Sequence, residues 1–295
     1  MRVMFDVLRD GLRSINTAAG QMAEAQHQVS SGRRMLVASD DPLSTELAVG
    51  EHATLGNIDA YTRSANSASS RLAAADGVMT AMIDKITAAI VAGTSARGSE
   101  IDPDARAAIV QQINGLRDSL LGDFNQKFNG SALFAGTATD QEAFTWSGAA
   151  WTYNGDAGAA QLQVEQGRLV SVTFDGNAIA QGADADNMFN VLDDLATAVQ
   201  TGDNVAIGTA IDGLERAFDR ATQAQGRLGA DERGVDEAVA RLRSFRTASE
   251  TRRSNLEDAN MAEAITKLTQ AETAYRAALG AVSSAERLSL LDYLR

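Results

Sequence analysis

The residue types that carry most catalytic and metal chemistry are scarce in this chain of 295 residues. It has two histidines, His27 and His52, and no cysteine, which excludes disulfides and thiolate ligands. The histidines fall on different predicted helices and neither has a partner at metal-ligand spacing. The motifs H-E-x-x-H, G-x-S-x-G and G-x-x-x-x-G-K are all missing from the sequence. We therefore expect no catalytic residue, no metal site and no cofactor.

Adjacent carboxylates at Asp40 and Asp41 could act as an acid and base pair or as a cation site. They follow Ser39 and precede Pro42, and acidic residues before a proline are more typical of helix capping. The acidic segment 184–187 resembles a calcium loop but lacks the glycine and the terminal glutamate at loop spacing. Both segments are therefore predicted to be turns that begin helices.

The charge balance argues against nucleic acid as a partner. The net charge is −13, which repels phosphate backbones and anionic lipids. Two basic pairs, at 33–34 and 252–253, could hold a phosphate, but they are predicted to be solvated charges at helix ends. Trp146, Trp151 and Tyr153 could form an exposed binding platform, but the sequence favours a role as the core of a small β module.

The clearest structural elements in the sequence are two long segments, one near each end of the chain. Small or apolar residues recur near each end in alternating steps of four and three, which is the pattern of a coiled-coil seam. Each segment would be long and narrow, so its stability must come from the other terminus and from neighbouring subunits. The residues predicted to form this assembly seam are Leu8, Leu12, Ile15, Met22 and Val29 in the first segment and Leu268, Tyr275, Leu279 and Val282 in the second.

Between the ends, the pattern predicts helices that flank a small β insertion. The first helix should break at Ser30-Ser31-Gly32, and a new one should begin near Pro42. From about 129 to 186 the hydrophobic period changes to two, with hairpin signals at 144–153 and 161–174. Helical periodicity then resumes, and from about Asn204 it is expected to continue with few interruptions.

The first ten residues mix charges with apolar residues, so they lack the core of a signal peptide. No run approaches the roughly 18 apolar residues of a spanning helix, so we expect no membrane insertion. If the protein leaves the cell, it is expected to do so by a route that cleaves nothing.

Several of these segments resemble the flagellin superfamily, and within it the hook-associated protein 3 branch. Single motifs are moderately specific, but they occur in the family's order along the whole chain. They are 28–34 and 38–42, similar to S-[ST]-G-[KR]-R and S-D-D-P; 130–136, similar to G-x-Y-[IL]-F-A-G; and the segments 188–195, 262–271 and 288–294.

The resemblance implies a mainly α fold, an elongated flagellin-like rod and coiled coil formed by both chain ends, with a small inserted β domain. It implies a terminal assembly domain (1–35 with 262–295), a helical rod (36–136 with 187–261) and an outer β domain (137–186). It also implies an extracellular structural subunit of the flagellum, exported without a cleaved signal peptide. Its expected partners are further copies in a ring or tube, a neighbouring hook-associated protein, flagellin and an export chaperone.

Four other functions stay open at this point. A flagellin would share the fold but form the filament itself, whereas a secreted helical adhesin or a signalling rod would belong to another class. Signalling rods normally accompany membrane spans, and an adhesin would not need both ends to be helical. An enzyme grafted onto the β insertion would need paired catalytic groups, and none stands out in the sequence.

Overall fold

In the computed structural model, the backbone is described for residues 2–35, 37–98, 102–148 and 150–293 and the side chains for 9–35, 37–98, 102–148 and 150–284. The chain divides into two compact units, Met1–Ile58 with Phe245–Arg295 and Asp59–Ser244. The three-domain division expected from the sequence stays a prediction. The elements are α1 (Arg2–Ser31), α2 (Pro42–Ser95), α3 (Pro103–Phe124), β1 (Lys127–Phe128), β2 (Ser131–Ala132), β3 (Phe144–Trp146), β4 (Trp151–Tyr153), β5 (Gln161–Glu165), β6 (Arg168–Ser171), α4 (Gly176–Ala180), α5 (Met188–Thr201), α6 (Asn204–Glu257) and α7 (Met261–Tyr293). The mainly α fold with a small β insertion is confirmed.

In the first unit, α1 and α7 pack side by side and run antiparallel. From Asn204 the chain is helical with one break among the described residues, between Glu257 and Met261, as the expectation of few interruptions allows. There Arg33 and Asp258 form an antiparallel bridge, and the amide of Ala259 donates to the carbonyl of Gly32 at 2.8 Å. Backbone pairing with the end of α1 replaces helical hydrogen bonds at this point.

The second unit has one hydrophobic core, shared by the helices and the β region. Four phenylalanines lie at its centre and are almost completely buried: Phe124, Phe134, Phe144 and Phe189. The ring of Phe124 meets those of the other three at centroid distances of 5.2 to 6.0 Å in edge-on geometry. The β strands therefore cover the helical core rather than enclosing a core of their own.

Within the described residues, the strands form three antiparallel pairs, β1 with β2, β3 with β4 and β5 with β6. Trp146 lies opposite Trp151 in the β3–β4 hairpin, and the side chain of Trp146 is 49% exposed. The prediction that the tryptophans form the core is thus wrong for Trp146. Phenylalanines take that place because they are apolar throughout, whereas each indole carries an N–H that needs a partner.

One helix, α2, contains a window with a mean hydropathy of 1.3 that is long and apolar enough to cross a membrane by length and composition alone. The expectation that no segment approaches this composition needs correcting. A third of that window is buried, and α2 contributes Leu72, Met79, Met82 and Ile86 to the core. Packing of α2 in the core accounts for part of this composition.

Candidate assembly surface

The terminal helix pair begins at a fixed joint in the chain. α1 ends at Ser31, and Gly32 then adopts a positive φ of 68°, a conformation that favours glycine. The amide of Arg34 donates to the carbonyl of Glu257 at 2.7 Å, and Asn260 Oδ1 accepts from the amide of Ala262 at 3.1 Å at the start of α7. This joint sets the register between α1 and α7.

The contact between α1 and α7 is built from very small residues. In α1, Ala18 and Ala25 are buried, and in α7, Ala264 and Ala271 are buried. At Gly11, an added Cβ would lie 2.7 Å from Cγ2 of Val282. Small residues let two helix axes approach closely, but each buries little apolar area. The seam therefore fixes the geometry of the pair more than it stabilises it.

Most of the predicted seam residues lie at the contact between the helices, but at two positions the contact is formed by the preceding residue instead. Ile15, Met22 and Val29 are half-buried, as are Leu268, Tyr275 and Val282. In contrast, Leu12 is 53% exposed and Leu279 is 43% exposed. The expectation that these two leucines pack inside the helix pair is wrong, because the preceding Gly11 and Ala278 allow a closer approach. Leu8 lies outside the residues whose side chains are described.

Most seam residues have a polar residue or an alanine before them in the chain, and several are followed by an apolar residue. A helix turns by about 100° per residue, so the residue that follows a seam position lies on one flank and the residue that precedes it on the other. Because the helices run antiparallel, the following residues of α1 and α7 lie on the same side of the pair. We call this side the outer flank, and its apolar members are Leu12, Ala19, Ala23, Ile265 and Leu279.

The opposite flank is made of polar residues and alanines. A groove of about 400 Å³ runs along it, with Ala25 and Ala271 at its floor. Its remaining lining is Gln21, Glu24, Gln28, Lys267, Gln270 and Ala274. The helix pair thus has two different sides, and among the side chains that the structure describes only the outer flank exposes leucine and isoleucine.

The segment Ser39 to Pro42 lies next to the joint. α2 begins at Pro42, and Asp41 accepts from the Ser44 amide at 3.1 Å and from the Ser44 hydroxyl at 2.6 Å. These hydrogen bonds, with the nearby Arg34 guanidinium, hold the pKa of the Asp41 carboxyl below its usual value. Asp40 accepts from the amide of Val37 at 3.0 Å, and Ser39 is exposed. This geometry is that of a helix start.

A polar cluster that the sequence did not indicate joins α2 to α6 beside the joint. Glu51 accepts from Arg252 Nε at 2.6 Å and from the hydroxyl of the fully buried Ser249. These two donors, Arg252 first, lower the pKa of Glu51. The partners are about 200 positions apart in the chain, so no local pattern links them.

The histidines and basic pairs singled out from the sequence have ordinary surroundings. His27 is exposed, and His52 Nε2 lies 2.8 Å from Glu257 Oε1. Arg34 donates to the Leu256 carbonyl at 3.0 Å, so it is engaged within the chain. In the acidic segment, Asp184 pairs with Arg216 and Arg220. Among the described residues, no group of three His, Cys, Asp or Glu side chains is placed to hold a metal ion.

Two family models match the chain. The bacterial flagellin N-terminal helical region matches residues 10–139, and the bacterial flagellin C-terminal helical region matches residues 211–294. Together they match more than half of the chain, including most of α1 and α7.

Similarity to individual proteins extends over the whole chain in one case and over part of it in another. Flagellar hook-associated protein 3 of Escherichia coli is 26% identical, and the match covers 96% of each chain. Polar flagellin E of Vibrio parahaemolyticus is 30% identical, but only over 37% of this chain and 29% of that protein. A crystal structure of Xanthomonas campestris FlgL shares the fold, with a TM-score of 0.63, 18% identity and coverage of 69% of this chain and 99% of that chain.

Proposed function

The chain belongs to the flagellin superfamily and, within it, to the family of flagellar hook-associated protein 3, and we propose that it is a structural subunit that joins the hook-associated zone of the flagellum to the filament. In this proposal it assembles with further copies into a ring or tube through α1 and α7. Its role is structural and involves no catalysis.

The observation that carries the proposal is the outer flank. Leu12 and Leu279 are large apolar residues left exposed beside a seam of alanine and glycine. A free helix pair would gain by placing leucine inside and alanine outside, so the observed order suits a surface that another molecule covers. Fully burying a leucine side chain stabilises a contact by about 1.5–3 kcal/mol, and half of that remains available at each exposed leucine. Several such residues per copy would support assembly.

The partners and the location of the chain follow from its proposed place at the junction. The neighbours in the proposed assembly are copies of this chain, a hook-associated protein on one side and flagellin on the other. The chain would lie outside the cell, having been exported without a cleaved signal peptide and with the help of a chaperone. The long match to hook-associated protein 3 favours the junction over the filament, because the match to polar flagellin E covers only part of the chain.

Deleting this chain in the bacterium that carries it tests the proposal. Electron microscopy should show hooks without filaments, and the medium should contain monomeric flagellin that has no junction to assemble on. Filaments of normal length would contradict the proposal. Bare hooks without flagellin in the medium would instead show that this chain is itself the filament subunit.

A further inference from the structure

The first unit carries a second unpartnered apolar surface, on α2 and α6. Leu43 and Leu47 of α2 are exposed, and Phe245 of α6 is 55% exposed. We call these three residues the α2–α6 strip. None of them belongs to the terminal helix pair, so the unit has two separate apolar surfaces.

The polar cluster beside the joint places all three residues on one side. Glu51 and Ser249 face each other between α2 and α6. Leu47 precedes Glu51 by four residues and Phe245 precedes Ser249 by four, so each is turned by about 40° from its inward-facing neighbour. Since the two helices run antiparallel here, the two rotations lead to the same side. Leu43 extends the strip by another turn.

Phe245 is exposed although it lies on a helical face whose other apolar residues are buried. Farther back along α6, Val235, Ala238 and Leu242 lie on the same helical face and are buried. Phe245 continues that face but is 55% exposed. An aromatic side chain on such a face is usually covered, so its exposure suits a surface on which another helix packs.

Two different apolar surfaces on one subunit have a consequence for symmetry. If the outer flank paired with an outer flank, the contact would close after two copies. If it pairs instead with a different surface on the next copy, the contact repeats and can produce a ring or a tube.

On the basis of the proposed function, we propose that the outer flank of one copy packs on the α2–α6 strip of the next. Their lengths agree: Ile265 and Leu279 are about 21 Å apart along α7, and the strip from Phe245 to Leu43 is about 18 Å long at 1.5 Å per residue.

The charges at the rims of the two surfaces are complementary. Arg276 lies beside the outer flank, its side chain is 81% exposed, and its contact with Glu272 is as long as 3.9 Å. Glu46 lies at the edge of the strip, is exposed, and forms no ion pair with a described residue. An arginine on one rim and a glutamate on the other can pair when two copies meet head to tail.

Disulfide crosslinking can test the contact directly because the chain has no cysteine of its own. Leu47→Cys and Ile265→Cys chains with different tags would be produced together in cells that lack the native chain, and intact flagella would then be oxidised. We expect disulfides between the two tags and none between identical tags. Crosslinks only between two Ile265→Cys chains, or no crosslinks at all in flagella that have assembled, would overturn the proposal.

A matched control is Val205→Cys, an 80% exposed residue of the second unit that belongs to neither surface. When paired with Ile265→Cys it should give no crosslink, and a yield equal to that of Leu47→Cys would overturn the assignment. Filament attachment is scored in the same cells. If filaments are attached but the expected crosslink is missing, this contact is refuted and the junction function is not. The junction function is tested separately, by the loss of filament attachment in the deletion strain.

Charge exchange tests the rim pair. In the crosslinking background, Arg276→Glu should lower the disulfide yield several-fold, and so should Glu46→Arg. The double variant should restore most of the yield, because opposite charges meet again. A double variant that stays as low as the single ones would contradict the pairing of these two rims.

Discussion

The terminal helix pair and the second unit use opposite ways of packing. Among its described side chains, the pair fully buries only alanines, keeps larger seam residues such as Met22 and Leu268 half-buried, and leaves Leu12 and Leu279 on its surface. The second unit buries large aromatic rings around Phe124 and exposes few of them. A core of phenylalanine stabilises a chain by itself, whereas an alanine seam buries too little area to do so. In the proposed assembly, this difference corresponds to a second unit that folds by itself and a terminal pair that neighbouring copies complete.

Polar contacts show the same contrast. In the second unit, Arg71 donates to the carbonyls of Val172 and Ala132 at 2.8 and 2.9 Å and so holds the β region against α2. Trp151 Nε1 donates to Asp193 at 2.9 Å. In the terminal pair, the ion pairs Lys267–Glu263 and Arg276–Glu272 lie along one helix and do not cross to the other. Between the described side chains of α1 and α7, no ion pair crosses from one helix to the other.

Replacing Phe124 should have the largest effect on the free chain. Phe124→Ala removes a ring that contacts three others and should destabilise the second unit by about 3–5 kcal/mol. Leu12→Ala is the matched change in the terminal pair and should cost the free chain less than about 0.5 kcal/mol, because the side chain is exposed. Urea unfolding followed by tryptophan fluorescence measures the first variant, and circular dichroism measures both. Similar losses in the two variants would remove the distinction between the regions.

Glycine replacement probes the alanine seam. Gly11→Ala places a Cβ against Val282, which is β-branched and turns away only at a cost, so a loss of about 1–3 kcal/mol in the pairing of the helices is expected. Hydrogen exchange of the α1 and α7 amides should become faster. Gly20→Ala is the control, because its Cβ would meet nothing within 4 Å, and it should slow exchange in α1 slightly. Equal protection in both variants would show that the helices do not approach closely at Gly11.

Arg71→Met tests the polar attachment in the second unit. The change leaves two part-buried carbonyls without their donor and should cost about 1–3 kcal/mol. Arg63→Met, on an exposed position of the same helix, should have little effect. Thermal unfolding of the two variants gives the comparison, and an unchanged midpoint for Arg71→Met would mean that the β region is held by apolar packing alone.

The smallest expected effect is on how stability changes with pH, and its sign should differ between a carboxyl group of the first unit and one of the second. The pKa of Glu51 is lowered in the folded chain, so its contribution is present above the unfolded value of 4.5 and is lost as pH falls through the folded pKa. The pKa of Asp194 is raised by burial and by Asp186 and Asp193, so its ionisation weakens the folded state as pH rises above the unfolded value of 3.8. Glu51→Gln should reduce the acid sensitivity of the melting midpoint, and Asp194→Asn should raise the midpoint at neutral pH. Identical pH profiles for wild type and both variants would contradict these assignments.

Much of the fold could be predicted from local patterns. Ser30-Ser31-Gly32 marked the end of α1, Pro42 the start of α2, and the alternation around Trp146 and Trp151 the β3–β4 hairpin. These signals depend on turn chemistry and on residue periodicity, which act over a few positions. They also indicated that both termini are helical.

The exact seam and the joint could not be predicted in this way. The pattern favoured Leu12 over Gly11 because leucine is the stronger apolar signal, although the closest approach of two helices selects the smaller residue. The bond between Glu51 and Ser249 connects distant parts of the chain, and nothing near either residue indicates the other. The sequence pattern therefore located the helix pair and most of its seam, but it placed Leu12 and Leu279 inside, where the structure leaves them exposed.

The most direct test of the central claim is the fraction of hooks that carry a filament when Leu279→Glu replaces the native chain. We expect this fraction to fall close to that of the deletion strain. The purified Leu279→Glu variant should keep the unfolding transition of its second unit. Val205→Glu, a comparably exposed position outside both apolar surfaces, should leave the fraction unchanged. Normal filament attachment with Leu279→Glu would show that the outer flank is not the assembly surface.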